Sequence, residues 1–179
     1  MKKGDVVAIG RYPVGAGGEM GPLFWRVLTV REDRMLVIAR DCVDFQPFHA
    51  YAAVTWEKSD IRKLLNEVFY YEAFSENERQ GICRVPVVTG KELTFDALFL
   101  PSVREMKSFF RSDADAVCSA TDYARIRGRW KPAGCCYWLR DRGYGPAYAA
   151  DVLPDGSVDK DGDEVYEISG IRPMMWVTV

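Results

Sequence analysis

Two arginines set inside apolar runs constrain this chain more than any other feature. Arg140 closes the run Tyr137-Trp138-Leu139-Arg140, and Arg172 interrupts Gly170-Ile171-Arg172-Pro173. An ionised guanidinium in apolar surroundings needs fixed partners, so both segments must belong to a specified packing arrangement. Buried charges are paired, and the expected partners are the carboxylates Glu57, Asp60 and Asp122. The functional alternative is an anion clamp, since a guanidinium can hold a carboxylate or phosphate through two parallel hydrogen bonds.

A core able to bury those runs is available. Of 179 residues, 48% are hydrophobic and 13% aromatic, enough for one domain spanning residues 1–179. The 24 basic and 26 acidic residues leave a net charge of −2, which gives no global attraction for nucleic acid or an anionic membrane. The first apolar run, Val6-Val7-Ala8-Ile9, is too short for the centre of a signal peptide. No span approaches the roughly 20 apolar residues of a membrane helix. As written the chain reads as cytoplasmic, and as secreted if a leader has been removed. Five cysteines are an odd number without framework spacing, no CxxC occurs, and the single histidine, His49, has no second ligand pair beside it. They read as buried thiols, with no metal assigned to Cys or His.

Hydrophobic periodicity divides the chain into strands at both ends and helices between. Val6 to Ile9, Phe24 to Val30 and Met35 to Ala39 read as strands, with a glycine-rich loop from Gly15 to Pro22 and a hairpin turn at Glu32-Asp33-Arg34. Ile61, Leu64, Leu65, Val68 and Phe69 fall on one helical face, with Ser59 or Thr55 as cap. Ser75 with Glu78 and Ser102 with Glu105 have capping-box spacing, and a further helix runs from Ser119 through Arg127. Val85 to Val88 and Ala97 to Leu100 read as extended. Beyond Pro132 strands return at Cys136 to Leu139, Tyr148 to Val152, Ser157 to Asp159, Glu164 to Ile168 and Ile171 to Val179, with turn dipeptides Asp155-Gly156 and Asp161-Gly162. The pattern predicts an α+β fold with a mostly antiparallel sheet, in which the N- and C-terminal strands are adjacent.

The ordered series Gly4-Asp5-Val6-Val7, Trp25-Arg26-Val27-Leu28, Thr55-Trp56-Glu57 with Ser59-Asp60-Ile61-Arg62, Ala120-Thr121-Asp122-Tyr123, Tyr137-Trp138-Leu139-Arg140, Asp155-Gly156-Ser157-Val158 and Gly170-Ile171-Arg172-Pro173 resembles an uncharacterised bacterial domain-of-unknown-function family. The closing pattern also resembles the C-type-lectin-like fold shared by ligand-binding modules and formylglycine-generating enzymes. That resemblance implies a single C-type-lectin-like domain, and fold alone confers no activity. Where relatives continue the Trp-Leu-Arg strand with Ser-Pro-Gly, this chain has Asp141-Arg142-Gly143, which adds a charge pair at the loop.

The candidate binding residues are Trp130, Arg142, Tyr144 and Tyr148, aromatic and cationic side chains around Gly143, Gly145 and Pro146. Such rings stack on sugars or anchor a protein partner while their polar edges set orientation, so the expected ligand is a glycan or a protein surface. Asp155, Asp159 and Asp161 are calcium candidates, although the spacing fails an EF-hand: with Gly162 at the loop's glycine position, Ser157 stands first and Ile168 where the bidentate glutamate belongs. Arg125, Arg127, Arg129 and Lys131 make one basic cluster, which a helix C-terminus explains without nucleic acid. An enzyme related to formylglycine-generating domains, using Cys135 or Cys136 with His49, is one alternative, and a structural or oligomerising module is another. No catalytic residues are assigned.

Overall fold

The computed structural model describes residues 1–51, 53–128 and 134–179. Strands β1 (Val6–Pro13), β2 (Met20–Arg31) and β3 (Arg34–Ala39) form a meander, followed by β4 (Asp44–Pro47). A 3₁₀ turn at Trp56–Lys58 leads into α1 (Asp60–Lys63), a π-helical stretch (Leu64–Phe69) and α2 (Tyr70–Ala73). Next come α3 (Glu76–Gly81), β5 (Ile82–Cys83) and the hairpin β6 (Val85–Thr89) and β7 (Glu92–Asp96). Helices α4 (Val103–Phe109), α5 (Asp113–Ala116) and α6 (Asp122–Gly128) precede β8 (Tyr137–Arg142), β9 (Tyr148–Val152), β10 (Val158–Glu164), β11 (Ile168–Ile171) and β12 (Met174–Thr178).

This is a mixed α+β architecture of mostly antiparallel sheets and short helices. One five-stranded sheet has the order β1-β2-β3-β12-β5 and a second the order β10-β9-β8-β11-β4. The exception to antiparallel pairing is β11 against β8. The chain passes directly from one sheet to the other, without intervening helices, at residues 40–43 and at Arg172-Pro173, and these two crossings run side by side. Ala39 N–H donates to the Pro173 carbonyl at 2.9 Å and Val43 N–H to that of Ile171 at 2.9 Å. The last strand therefore joins the amino-terminal meander by pairing with β3, while β1 lies two strands further out, which corrects the expected adjacency of the first and last strands. β3 is buried at every position after Arg34, because central strands carry continuous apolar runs where both faces are covered.

Arg172 sits at the crossing and is 3% exposed. Its Nε donates to the Ala39 carbonyl at 3.0 Å, and Nη1 donates to the Ala116 carbonyl and the Tyr137 hydroxyl, each at 3.1 Å. The guanidinium also lies over the Tyr137 ring at 5.2 Å and the Phe110 ring at 5.7 Å. Among the described residues it has no carboxylate partner, so the predicted ion pair is replaced by carbonyls and aromatic faces. Arg140 does have a carboxylate, but it is Glu105, which both terminal nitrogens reach, Nη2 at 3.1 Å. Glu57, Asp60 and Asp122 are occupied elsewhere: Asp60 approaches His49 and Lys63, Asp122 faces Arg125, and Glu57 lends its carbonyl to Arg62.

The helix caps follow local chemistry. Ser59 accepts from Arg62 N–H, and both capping boxes close, Ser75 with Glu78 and Ser102 with Glu105. The last helix starts later than expected, with Thr121 Oγ1 accepting from Ala124 N–H at 3.1 Å. Val68 is 43% exposed, because the π-helical stretch turns it off the buried stripe and places Asn66 inward instead. There Asn66 accepts from Ala97 N–H at 2.9 Å and donates to the Leu98 carbonyl at 2.8 Å, so residues 97–98 hang on a side chain, while Phe99 exchanges both backbone hydrogen bonds with Met174 of β12. Asp161-Gly162 is a bulge inside β10, not a turn: Gly162 has φ +65°, and a Cβ there would stand 1.9 Å from the Ala149 carbonyl. The turn expected at that dipeptide falls instead at residues 165–167, where a strand was predicted.

Replacing Arg172 with alanine removes three hydrogen bonds from a buried cation to acceptors on three segments and is expected to cost about 2–4 kcal/mol, given that hydrogen bonds from charged groups each contribute about 1.5–3. Urea denaturation would register this as a lower midpoint, and an unchanged midpoint would contradict it.

Candidate functional site

A cleft of about 430 Å³ opens between the segment Phe48 to Trp56, the β6–β7 turn and strands β8 and β9. A second hollow of about 410 Å³, which includes His49, Glu57 and Lys58, shares Val54, Thr55, Glu92 and Arg142 with it, so the two form one groove. Its base is fixed by a buried carboxylate. Asp96, fully buried at the end of β7, accepts from Trp56 Nε1 at 3.0 Å, Thr94 Oγ1 at 2.6 Å and Arg62 Nε at 2.8 Å. Buried carboxylates persist when their oxygens are bonded and their charge is paired, as here.

Arg140 also lines the groove, and its Nε has no hydrogen-bond partner among the described residues. Asp141 Oδ2 accepts from Val103 N–H at 2.7 Å and so caps α4, which leaves Arg142 as the exposed member of the pair. Gly143 N–H donates to the Tyr148 carbonyl at 2.9 Å and Tyr144 N–H to the Asp161 carbonyl at 2.8 Å, pinning the β8–β9 connection to β10. On that pinned backbone Tyr144 stands 83% exposed, with its ring edge-on to Tyr148 at 6.3 Å. Tyr148 lines the cleft and donates from its hydroxyl to Glu164 at 3.2 Å. Three of the four candidate binding residues thus meet at one end of the groove, and Trp130 lies outside the described residues.

The catalytic pairing of a cysteine with His49 is not assembled. His49 Nδ1 lies 2.8 Å from Asp60 Oδ2, with its ring against Tyr51, whereas Cys135 meets Cys42 and Cys136 lines a separate hollow beside Asp163 and Ser169. The calcium candidates serve turns: Asp155 accepts from Ser157 N–H at 2.9 Å, and Asp159 from Asp161 N–H at 2.9 Å. In the basic cluster Arg125 faces Asp122, and Arg127 bonds Tyr123 and faces Asp44, as a solvated helix end requires.

One acidic residue was not legible in advance. Asp151 in β9 is fully buried, neither of its oxygens has a partner among the described residues, and Asp159 stands opposite on β10. Burial, then Asp163 and Asp159, push its carboxyl up to about 7. In sequence it is one letter of Tyr148-Ala149-Ala150-Asp151-Val152, with no pattern to separate it from the exposed aspartates that follow.

With this geometry in hand, the chain can be compared with known proteins. The family described as Domain of unknown function (DUF6273) matches residues 32–179. The chain belongs to the DUF6273 family. The match takes in both sheet crossings and the whole groove and begins just before β3. A comparison with curated proteins gave no match. One with solved structures gave none either. Among the described residues no helix is long and apolar enough to cross a membrane.

The Asp151 carboxyl gives a pH prediction. The folded chain keeps its proton up to about pH 7, while an unfolded aspartate loses it near pH 4, so folding takes up a proton in between. Its contribution to stability is fully present below about pH 4 and is lost as pH rises through 7. Asp151→Asn should therefore melt higher than the parent at pH 8, with the gain shrinking as pH falls towards 4. Melting curves whose difference stays constant across that range would show that Asp151 does not titrate there.

Proposed function

We propose that this DUF6273 chain is a single-domain ligand-recognition module and that the groove between the β6–β7 turn and the β8–β9 connection is its binding surface. The observation that carries the reading is Tyr144, whose ring is 83% exposed on a backbone fixed by two hydrogen bonds, beside a cleft lined by Tyr148 and Arg142. An exposed aromatic held still loses little entropy on binding, and the preorganisation favours a specific ligand. Aromatic faces with Glu92, Lys91 and Arg142 nearby suit a glycan, whose apolar ring faces stack while its hydroxyls find donors and acceptors. Loops on a rigid scaffold commonly carry recognition, which agrees with a C-type-lectin-like assignment for the two-sheet fold.

A protein surface is the second reading, favoured by one face of the adjoining hairpin. Val88 pairs with Leu93 and Pro86 with Phe95 across β6 and β7, and Val88, Leu93 and Phe95 are 62, 55 and 62% exposed. Cross-strand apolar pairs left in water commonly mark an interaction surface.

Glycan and peptide arrays, probed with and without calcium, separate the two. Tyr144→Ala is expected to leave melting unchanged, since the side chain is in solvent, and to abolish retention on glycan features. Retention by the Tyr144→Ala chain, with loss on Phe95→Ser, would move the binding surface to the hairpin; no retention on either array would count against recognition by this groove.

A further inference from the structure

Three of the five cysteines converge, although 76 residues separate Cys42 from Cys118 and 17 separate Cys118 from Cys135. Cys42 lies on the first sheet crossing, Cys118 after α5, and Cys135 just before β8. Their sulfurs all fall within 4.8 Å of one another, with Cys42 at 3.7 Å from Cys118 and 3.3 Å from Cys135. The three side chains are 0, 3 and 1% exposed. The backbone fixes them: Cys42 N–H donates to the Ser119 carbonyl at 2.8 Å, and Cys135 N–H to that of Cys118 at 3.2 Å. Room is made on the far side by Gly170, where a Cβ would stand 2.7 Å from Cys42 Sγ.

A buried free cysteine ordinarily serves as a small hydrophobe, and one such residue needs no ligand. Three with their sulfurs turned inward on one point are a different arrangement, because thiols repay burial poorly with one another and are strong donors to a thiophilic ion once deprotonated. A zinc–sulfur bond of about 2.3 Å at tetrahedral angles sets sulfurs about 3.8 Å apart, close to the spacing found. The local charge fits as well. Arg172 lies among these segments, with no carboxylate among the described residues to balance it, and its hydrogen bonds to Ala116 and Tyr137 hold it beside the cluster.

We propose that Cys42, Cys118 and Cys135 form a trithiolate site for a divalent thiophilic cation of the zinc class, with Arg172 as its counter-charge. Loading releases three protons, one from each thiol. Three thiolates and a divalent ion make a complex of charge −1, and the guanidinium brings the buried ensemble to zero. A monovalent copper ion would leave it negative, so charge balance is reached with the divalent ion. Main-chain oxygens of Cys118 and Ser119, each 3.3 Å from Cys135 Sγ, are further donors at the cluster. The ion cross-links three segments outside regular secondary structure, so its role is to hold the sheet crossing in place.

The full chain, purified under reducing conditions after expression in zinc-supplemented medium, is expected to carry about one zinc per molecule by elemental analysis and to release it to a mercurial. After exchange into cobalt(II) it should show thiolate-to-cobalt charge transfer and the visible bands of a four-coordinate ion. Cys118→Ser should weaken zinc by more than about 100-fold, beyond the 10–100-fold that loss of an outer-shell partner costs, while Cys83→Ser and Cys136→Ser retain it. The parent spectrum needs no variant, so a misfolded Cys118→Ser leaves the test intact. Metal-free protein that takes up no zinc while folded, zinc held equally by Cys118→Ser, or a Cys42–Cys135 disulfide that after reduction still yields no uptake would each overturn the proposal.

Discussion

The guanidinium of Arg172 is the interaction on which the rest of the structure depends. The two sheets share no strand, and the chain steps directly from one to the other at residues 40–43 and 172–173, where their relation is fixed most closely. Backbone hydrogen bonds lie on either side of the paired crossings, and Arg172 spans them, reaching the end of β3, the end of α5 and the ring of Tyr137 on β8. A lysine could not do this: a point ammonium lacks the planar fork that serves several carbonyls at once and the flat face that stacks on Phe110 and Tyr137. The cost of burying the charge is met by three acceptors and two rings, which is why it tolerates having no carboxylate partner among the described residues.

Arg140 does the corresponding work beneath the groove with a different solution. It lies over the Phe99 ring and binds the Leu100 carbonyl and Glu105, whose carboxylate also caps α4 through Ser102. One carboxylate thus ends a helix and neutralises a strand arginine, so α4 and β8 cannot shift independently. Asp141 adds a second tie between the same two elements at Val103. The Asp141-Arg142 charge pair therefore divides its labour: its acid braces α4 and its base faces solvent at the groove.

What could be read from the sequence was what local chemistry determines. The caps at Ser59, Ser75 and Ser102 depend on residues three positions apart and came through with their partners. The exposed tyrosine on a glycine-flanked connection was legible for the same reason. Partner choice was not. Arg140 and Glu105 are 35 residues apart, and nothing in a linear pattern distinguishes Glu105 as an ion-pair partner once it has been explained as a cap. Strand β7 was missed because Glu92-Leu93-Thr94-Phe95-Asp96 exposes its apolar residues and buries its polar ones, the inverse of the alternation that signals a half-buried strand. That inversion has a cause in Asp96, which is drawn inward by Trp56 and Arg62. The final run from Ile171 was read as one strand because Arg172-Pro173 breaks it by changing sheets, a tertiary event with no local signature beyond the proline.

The family match begins at residue 32, inside the β2–β3 hairpin, yet packing does not respect that boundary. Trp25, Val27 and Leu28 of β2 are each 0–1% exposed and lie in the same cluster as Ile38 and Met174, and Trp25 Nε1 donates to the Ile9 carbonyl of β1 at 2.8 Å. Stripping β1 and β2 from β3 would expose apolar side chains on a central strand and leave an unpaired edge beside the crossing that Arg172 ties. The chain-level unit of stability is therefore larger than the segment over which the family is recognisable. The asymmetry has a physical basis. The outer strands need only present apolar residues at alternate positions, which many sequences do, whereas the crossings, the capped helices and the groove need particular residues at particular places.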